Sequence, residues 1–326
     1  MNAFSRFFAV GVAAAGLSSI VTAIAVAQDF PSKEVTIVAP YPPGAVTDGI
    51  ARILQQGLTE KLGRPIIIEN HPGAGGTVGV GHTVRSTADG YTTVMGVNAP
   101  FVMAPAMQAN IPYNTVADLK GIGRIGETYL TLVVRKESEI DSIEDLVRIA
   151  KERPGELTFG SAGIGSAHHI AGELLSRGAG IELVHVPFQG GAPAIQNLVG
   201  DQLDMSFGTL PAVFNFVQSG ELKIIAFAEP KRVASHPDVP LISDTVPGVE
   251  TTTWLGFFAP SGTPDDVIAK LNEALTFAIS KPEVQEQMIR LGIVPNPSTA
   301  AELDALVAAD LKFWANAMDI AGIEKQ

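Results

Sequence analysis

One local unit occurs at two distant places in this chain: a short apolar run, then a loop of small residues, then a stretch of helical periodicity. Val35-Thr36-Ile37-Val38-Ala39 leads into Tyr41-Pro42-Pro43-Gly44-Ala45-Val46-Thr47-Asp48, and Leu157-Thr158-Phe159 leads into Gly160-Ser161-Ala162-Gly163-Ile164-Gly165-Ser166-Ala167-His168. Each reads as strand, loop and helix start. Such a unit leaves backbone N–H groups pointing out of a helix N-terminus, a device that holds an anion with no charged side chain. Two of them predict one anionic ligand gripped from two sides.

The same alternation continues along the chain. Thr47 or Asp48 is placed to cap a helix with its apolar face at Ile50, Ile53, Leu54, Leu58 and Leu62, ended by Gly63. Pro65 to Glu69, Tyr91 to Gly96, Thr131 to Val134, Leu183 to Val186, Met205 to Phe207 and Leu222 to Ala228 read as strands, with Ser142 capping a helix over 143–152. Alternating strand and helix predicts parallel sheets covered on both faces. The tail differs, with amphipathic helices over 264–280, 282–291 and 300–318. Two αβ series and a helical tail predict two lobes, 28–126 together with 229–326 forming one and 127–228 inserted as the other.

Residues 1–27 read as a cleaved signal peptide, with Arg6 before an apolar stretch and Ala25-Val26-Ala27 as the small-x-small site. The rest has no second apolar run of membrane-spanning length, and 46% hydrophobic residues are ample for packed cores. There is no cysteine, which excludes disulfides, a lipoprotein anchor, thiolate metal sites and Cys nucleophiles. A net charge of −12 gives no electrostatic footprint for nucleic acid, and requires that an anion be attracted locally.

Enzyme signatures fail on spacing. From Gly73 and Gly75 the final glycine of G-x-G-x-x-G falls on Val78, and neither a nucleotide P-loop nor G-x-S-x-G occurs. His168 and His169 are adjacent, so on a helix they diverge by about 100° and do not share a metal as an i,i+4 pair does. His71, His82, His185 and His236 read as dispersed, with no acids clustered about them. Ser166 and His169 stand at i,i+3, which leaves a hydrolase open beside the simpler reading: Ser166 caps the helix, one histidine supports the loop and the other is exposed. Asp48 has two readings, a cap for helix amides or an acceptor for a ligand's ammonium or hydroxyl. Gly73-Ala74-Gly75-Gly76 is either a third anion cradle or a close helix–strand contact.

The stretches YPPGAVTD, ENHPGAGGTVG, ADGYTTVMG, TFGSAGIGSAHHIAGELL, VHVPFQGGAPAI, GDQLDMSFGTLPA and WLGFFAPSGTP, in this order and spacing, resemble the tripartite tricarboxylate transporter substrate-binding proteins, also called Bug proteins. The matches span nearly all of the chain beyond the leader. The resemblance implies a type II-like periplasmic binding protein of a Gram-negative bacterium, with two doubly wound α/β lobes, a hinge and a helical C-terminal tail. It implies a monomer that closes over a small carboxylate held largely by main-chain amides, without cofactor or metal, and passes it to membrane permease subunits or presents itself to a sensor kinase. The implied contacts are Pro43, Gly44, Ala45 and Asp48 on one side and Ser161, Ala162, Gly165, Ser166 and His168 on the other. Asn98 and Thr209 stand at the pocket edge, and Phe188, Gln189 and Gly190 line the cleft. Family members commonly carry Gly-Gly where this chain has Gly44-Ala45, so the added methyl is expected to narrow the pocket or restrict the loop. Neither loop holds Arg or Lys.

Overall fold

The computed structural model describes residues 30–188, 190–251, 253–322 and 325; the expected leader and Gln189 lie outside them. Among the described residues the strands form two sheets. The first contains β1 (Val35–Ala39), β2 (Ile66–Asn70), β3 (Thr92–Val97), β4 (Leu119–Glu127), β10 (Trp254–Pro260) and β11 (Val294–Pro295) in the order β11-β4-β10-β3-β1-β2. The second contains β5 (Leu130–Arg135), β6 (Thr158–Ser161), β7 (Val184–Pro187), β8 (Met205–Thr209) and β9 (Leu222–Phe227) in the order β7-β6-β8-β5-β9. Around them lie α1 (Val46–Leu62), α2 (Thr77–Val84), α3 (Ala104–Met107), α4 (Thr115–Asp118), α5 (Ile143–Glu152), α6 (Ala167–Ala179), α7 (Gly191–Val199), α8 (Leu210–Gln218), α9 (Asp265–Ser280), α10 (Pro282–Arg290) and α11 (Ala300–Ala321).

The sheets are mixed, which corrects the expectation of purely parallel ones. β1 runs parallel to β2 and β3, and β6 to β7 and β8, as βαβ units demand. β10 is antiparallel to both β3 and β4, and β5 to both β8 and β9. These reversed strands flank the passages of chain between the lobes, where no crossover helix turns the strand back into the parallel sense. β1 and β10 are the buried centre of the first lobe: Val35, Ile37, Val38 and Ala39 are fully buried, and so is nearly all of Trp254 to Ala259. Each large apolar side chain fully removed from water contributes about 1.5–3 kcal/mol before entropy is counted.

The lobes are joined at three places. The chain leaves the first sheet through Thr128–Tyr129, and Thr128 N–H donates to Thr253 O at 2.9 Å. It returns after β9, where Ala228 N–H donates to Leu130 O at 2.9 Å and Thr251 N–H to Ala228 O at 2.8 Å. Between these strands the side chain of Glu229, only 7% exposed, accepts the Leu130 N–H at 2.8 Å. Burial pushes its carboxyl up to about 8. The third join is α11, which lies on β4 and reaches α6 of the second lobe. Trp254 Nε1–H donates to Asp310 Oδ2 of α11 at 2.6 Å, and Trp314 and Met318 share one core with Phe159 and Leu175.

A fourth contact closes the space beside the crossings. Gly292, after α10, has φ +79°, and a Cβ there would lie 1.4 Å from Pro211 Cγ at the start of α8. Alanine therefore meets both left-handed backbone strain and a neighbouring ring. Gly292→Ala is expected to lower the melting temperature and to enlarge the radius of gyration seen by small-angle scattering, because α8 must move away from the first lobe. A variant equal to the parent in both measurements would show that this contact does not hold the lobes together.

Candidate functional site

Both small-residue loops end at helix N-termini, but by different local means. α1 begins at Val46 with Ala45 as its N-cap, and no side chain caps its first amides. Neither Thr47 nor Asp48 is the cap, which corrects that part of the sequence reading. Asp48 sits one turn in and reaches back, its Oδ2 accepting Gly44 N–H at 2.9 Å. Both carboxylate oxygens also accept from Arg52, and Oδ1 accepts Asn70 Nδ2–H at 3.1 Å. The Arg52 guanidinium, with the Gly44 and Asn70 bonds, holds this buried carboxyl down at about 2. Arg52 carries no signal of this role in the loop motif, because it lies outside the loop, four residues along the helix from Asp48.

Gly44 has φ +84°, and no atom lies within 4 Å of the place where a Cβ would stand. Its role is conformational. Ala45 has φ −68° and ψ 161°, extended backbone that alanine adopts freely, so its methyl places no conformational restriction on the loop. Thr47 is 2% exposed and its Oγ1 has no hydrogen-bond partner among the described residues. An orphaned buried hydroxyl beside open helix amides points to a polar ligand atom. Sequence reasoning considered Thr47 only as a cap.

The second loop is braced by side chains. Ser166 caps α6, its Oγ accepting His169 N–H at 3.3 Å and donating to Gly163 O at 2.7 Å. Ser161 Oγ accepts Gly163 N–H at 3.0 Å and lies 2.6 Å from His185 Nε2. Gly165 N–H donates to His169 Nδ1 at 3.1 Å, which directs the opposite nitrogen, Nε2, towards Glu173 at 3.6 Å. Thus the contact between Ser166 and His169 is hydroxyl to backbone, and the imidazole is turned to other partners. The geometry gives no Ser166–His169 dyad. The expectation of one exposed histidine is also corrected: His168 and His169 are both 8% exposed.

The histidines are not dispersed either. His169 stacks on His185 with centroids 4.0 Å apart, and His71 on His82 at 4.2 Å. Burial pulls His168 down to about 4, and its Nδ1 lacks a partner among the described residues. Burial, and then the charge of His169, pull His185 down to about 4 as well.

Tertiary contacts gather these pieces. Gly165 packs on Met107 of α3, with a hypothetical Cβ 1.6 Å from Met107 Cε, so the second loop touches the first lobe. Gly49 of α1 lies against Leu291, whose neighbour Gly292 meets Pro211 two residues beyond Thr209. Asn98 is buried, its backbone N–H bonded to Trp254 O. Phe188 N–H donates to Ser161 O, and Gly191 packs on His168. Pro43 is exposed, and Ala162 and Thr209 are partly exposed. Gly73–Gly76 is a wall of the first lobe, its Gly75 carbonyl accepting from Tyr41 Oη at 2.9 Å. A cavity of about 300 Å³ lies elsewhere, bounded by Arg124, Glu127, Tyr129, Glu229, Arg232 and Trp254. Lys231 also lines it, while Arg124 and Arg232 are paired with Glu127 and Asp244.

His168 and His185 bind protons more weakly in the folded chain than the ordinary 6.5. Unfolding therefore takes up protons between about 4 and 6.5, and stability falls as pH drops through that window. The melting temperature is expected to decline over this range, with a shallower slope in His168→Gln. A flat profile would contradict the buried, neutral state of both rings.

The chain matches the model of the tripartite tricarboxylate transporter family receptor over residues 50–322. It is 30% identical to protein BugT of Bordetella pertussis over 306 residues, 93% of each chain. Among solved structures it is similar to Rpa4515 of Rhodopseudomonas palustris, solved with adipate, at 28% identity and TM-score 0.79, covering 91% of this chain and 100% of that one. MatC of the same organism, solved with bound malate, matches at 29% identity and TM-score 0.74, covering 88% and 99%. The chain belongs to the tripartite tricarboxylate transporter receptor family, whose members are periplasmic solute-binding proteins.

Proposed function

We propose that this receptor captures a small aliphatic carboxylate between its two lobes and hands it to a tripartite tricarboxylate-type membrane permease. The export leader would be cleaved behind Ala27, and the lobes would divide as 28–126 with 229–326 against 127–228. The observation that carries the ligand reading is the pair of helix N-termini at α1 and α6. Each sits beside a buried polar atom without a partner among the described residues, Thr47 Oγ1 and His168 Nδ1. Adipate and malate in two related structures support the chemical class.

In this reading the amides after Ala45 and Ser166 take the carboxylate, while Pro43, Gly44, Ala162 and Gly165 shape the loops around it. Asp48, Ser161 and Ser166 hold those loops in place. Asn98, Gln189 and Thr209 border the ligand. Closure follows because contacts with the second lobe form only when the cleft is shut. Low aromatic content, 6%, favours an aliphatic over a stacked ligand.

Thermal-shift titration of the tag-free chain beyond the leader with malate, adipate and related dicarboxylates is expected to raise the melting temperature for at least one of them. Ser166→Asp keeps a good helix cap but sets a carboxylate beside the bound anion. Its affinity for that ligand, measured calorimetrically, is expected to fall by more than about tenfold, since juxtaposed like charges cost several kcal/mol. A panel with no shift, or Ser166→Asp binding as tightly as the parent, would sink the proposal.

A further inference from the structure

Beside the first loop, the end of the edge strand β2 meets α2. β2 ends at Asn70, and His71 N–H continues its ladder by donating to Ala39 O at 3.0 Å. Glu69 and His71 are therefore two residues apart on extended backbone and present their side chains on the same side. α2 lies directly on this strand end. A Cβ on Gly79 would stand 2.7 Å from Pro40 Cβ and 2.9 Å from the His71 carbonyl oxygen, so only a residue without a side chain permits the approach. Three residues on, His82 occupies the same face of the helix and is delivered to His71. Between them, Gly73, Gly75 and Gly76 have φ of +140°, +66° and +100°, backbone that favours glycine.

The result is a convergence of three donors. His71 Nε2 and Glu69 Oε2 are 3.2 Å apart, and the His71 and His82 rings stack with centroids 4.2 Å apart at 25°. One donor atom from each residue lies within 4.8 Å of the other two. In a tetrahedral zinc site, bonds of about 2.0–2.1 Å to nitrogen and oxygen place the donors about 3.3 Å from one another. The Glu69–His71 pair is already at that spacing. Glu69 and His71 keep 48% and 29% side-chain exposure, so modest rotations close the remaining gap without repacking a core.

From this geometry we propose that Glu69, His71 and His82 bind a borderline divalent cation of the Zn²⁺ type. Two imidazoles and one carboxylate are the donor set that such ions select over Mg²⁺ or Ca²⁺, which prefer all-oxygen shells. Three protein ligands leave one position for water. Arg85, three residues beyond His82, opposes the cation, while Glu69 and the net charge of −12 favour it. The bound ion would pin β2 to α2 on either side of the 72–76 segment, whose Gly75 carbonyl accepts the Tyr41 hydroxyl. It would thereby stiffen one wall of the first lobe without touching the anion.

The test uses the tag-free chain, freed of metal with a chelator and titrated with Co²⁺ as a visible stand-in for Zn²⁺. One equivalent is expected to bind with the intense d–d absorption of a four-coordinate site, and Zn²⁺ is expected to displace it. His71→Ala and His82→Ala should each weaken binding by more than about tenfold, the loss caused by removing even an outer-shell partner. Glu69→Gln keeps the shape and removes the charge, so it should weaken binding with unchanged metal-free circular dichroism and melting temperature. No binding at millimolar Co²⁺ would overturn the proposal. So would undiminished binding by the His71→Ala/His82→Ala double variant, which would move the cation to the His168, His169 and His185 region.

Discussion

The Asp48 carboxylate is the interaction on which the loop between β1 and α1 depends. With its oxygens on Gly44, Arg52 and Asn70, it fixes the loop between β1 and α1 from behind, leaving the front of the helix without a cap. A capping Ser or Asp at position 45 would satisfy one of those amides and remove it from use. Alanine there keeps the helix start open. Omitting a cap loses about 1 kcal/mol; the Asp48 carboxylate, paired with a half-exposed Arg52, also ties in Asn70 from the neighbouring strand.

The second lobe braces its loop without a guanidinium–carboxylate pair. Ser161, Ser166 and the stacked pair His169–His185 hold the loop through hydroxyls and imidazoles, and desolvation keeps His185 uncharged. One loop is thus braced by an ion pair and the other by hydroxyls and imidazoles. Under the proposed function, attraction of the anion would be left to backbone dipoles, which are preorganised.

Much of this organisation was legible in local sequence. The Ser142 cap, the β5, β8 and β9 strands and the three tail helices all follow from short-range pattern, and both loops lie where the strand–loop–helix spacing puts them. β4 was not read as a strand because Gly121, Gly123 and Gly126 dilute its β character. The reason for those glycines is remote: side chains at them would strike Asp304, Asn272 and the Val294 carbonyl, from segments about 150 residues away or more. β10, Trp254 to Pro260, is buried along its whole length and so lacks the alternation that marks a half-exposed strand. The histidine pairs were invisible for the same reason, since only tertiary packing brings His82 to His71 and His185 to His169. The roles of Asp48, Ser161 and Ser166 were ambiguous in sequence because a hydroxyl or carboxylate at a helix start serves loop and ligand equally well until its partners are known.

Glu229 gives the passage between the lobes an unusual electrical character. With its carboxyl pushed up to about 8, it stands at neutral pH mostly as an uncharged acid between the two connecting strands. Protonated, it lies buried between the connecting strands without the desolvation cost that an ionised carboxylate would carry there.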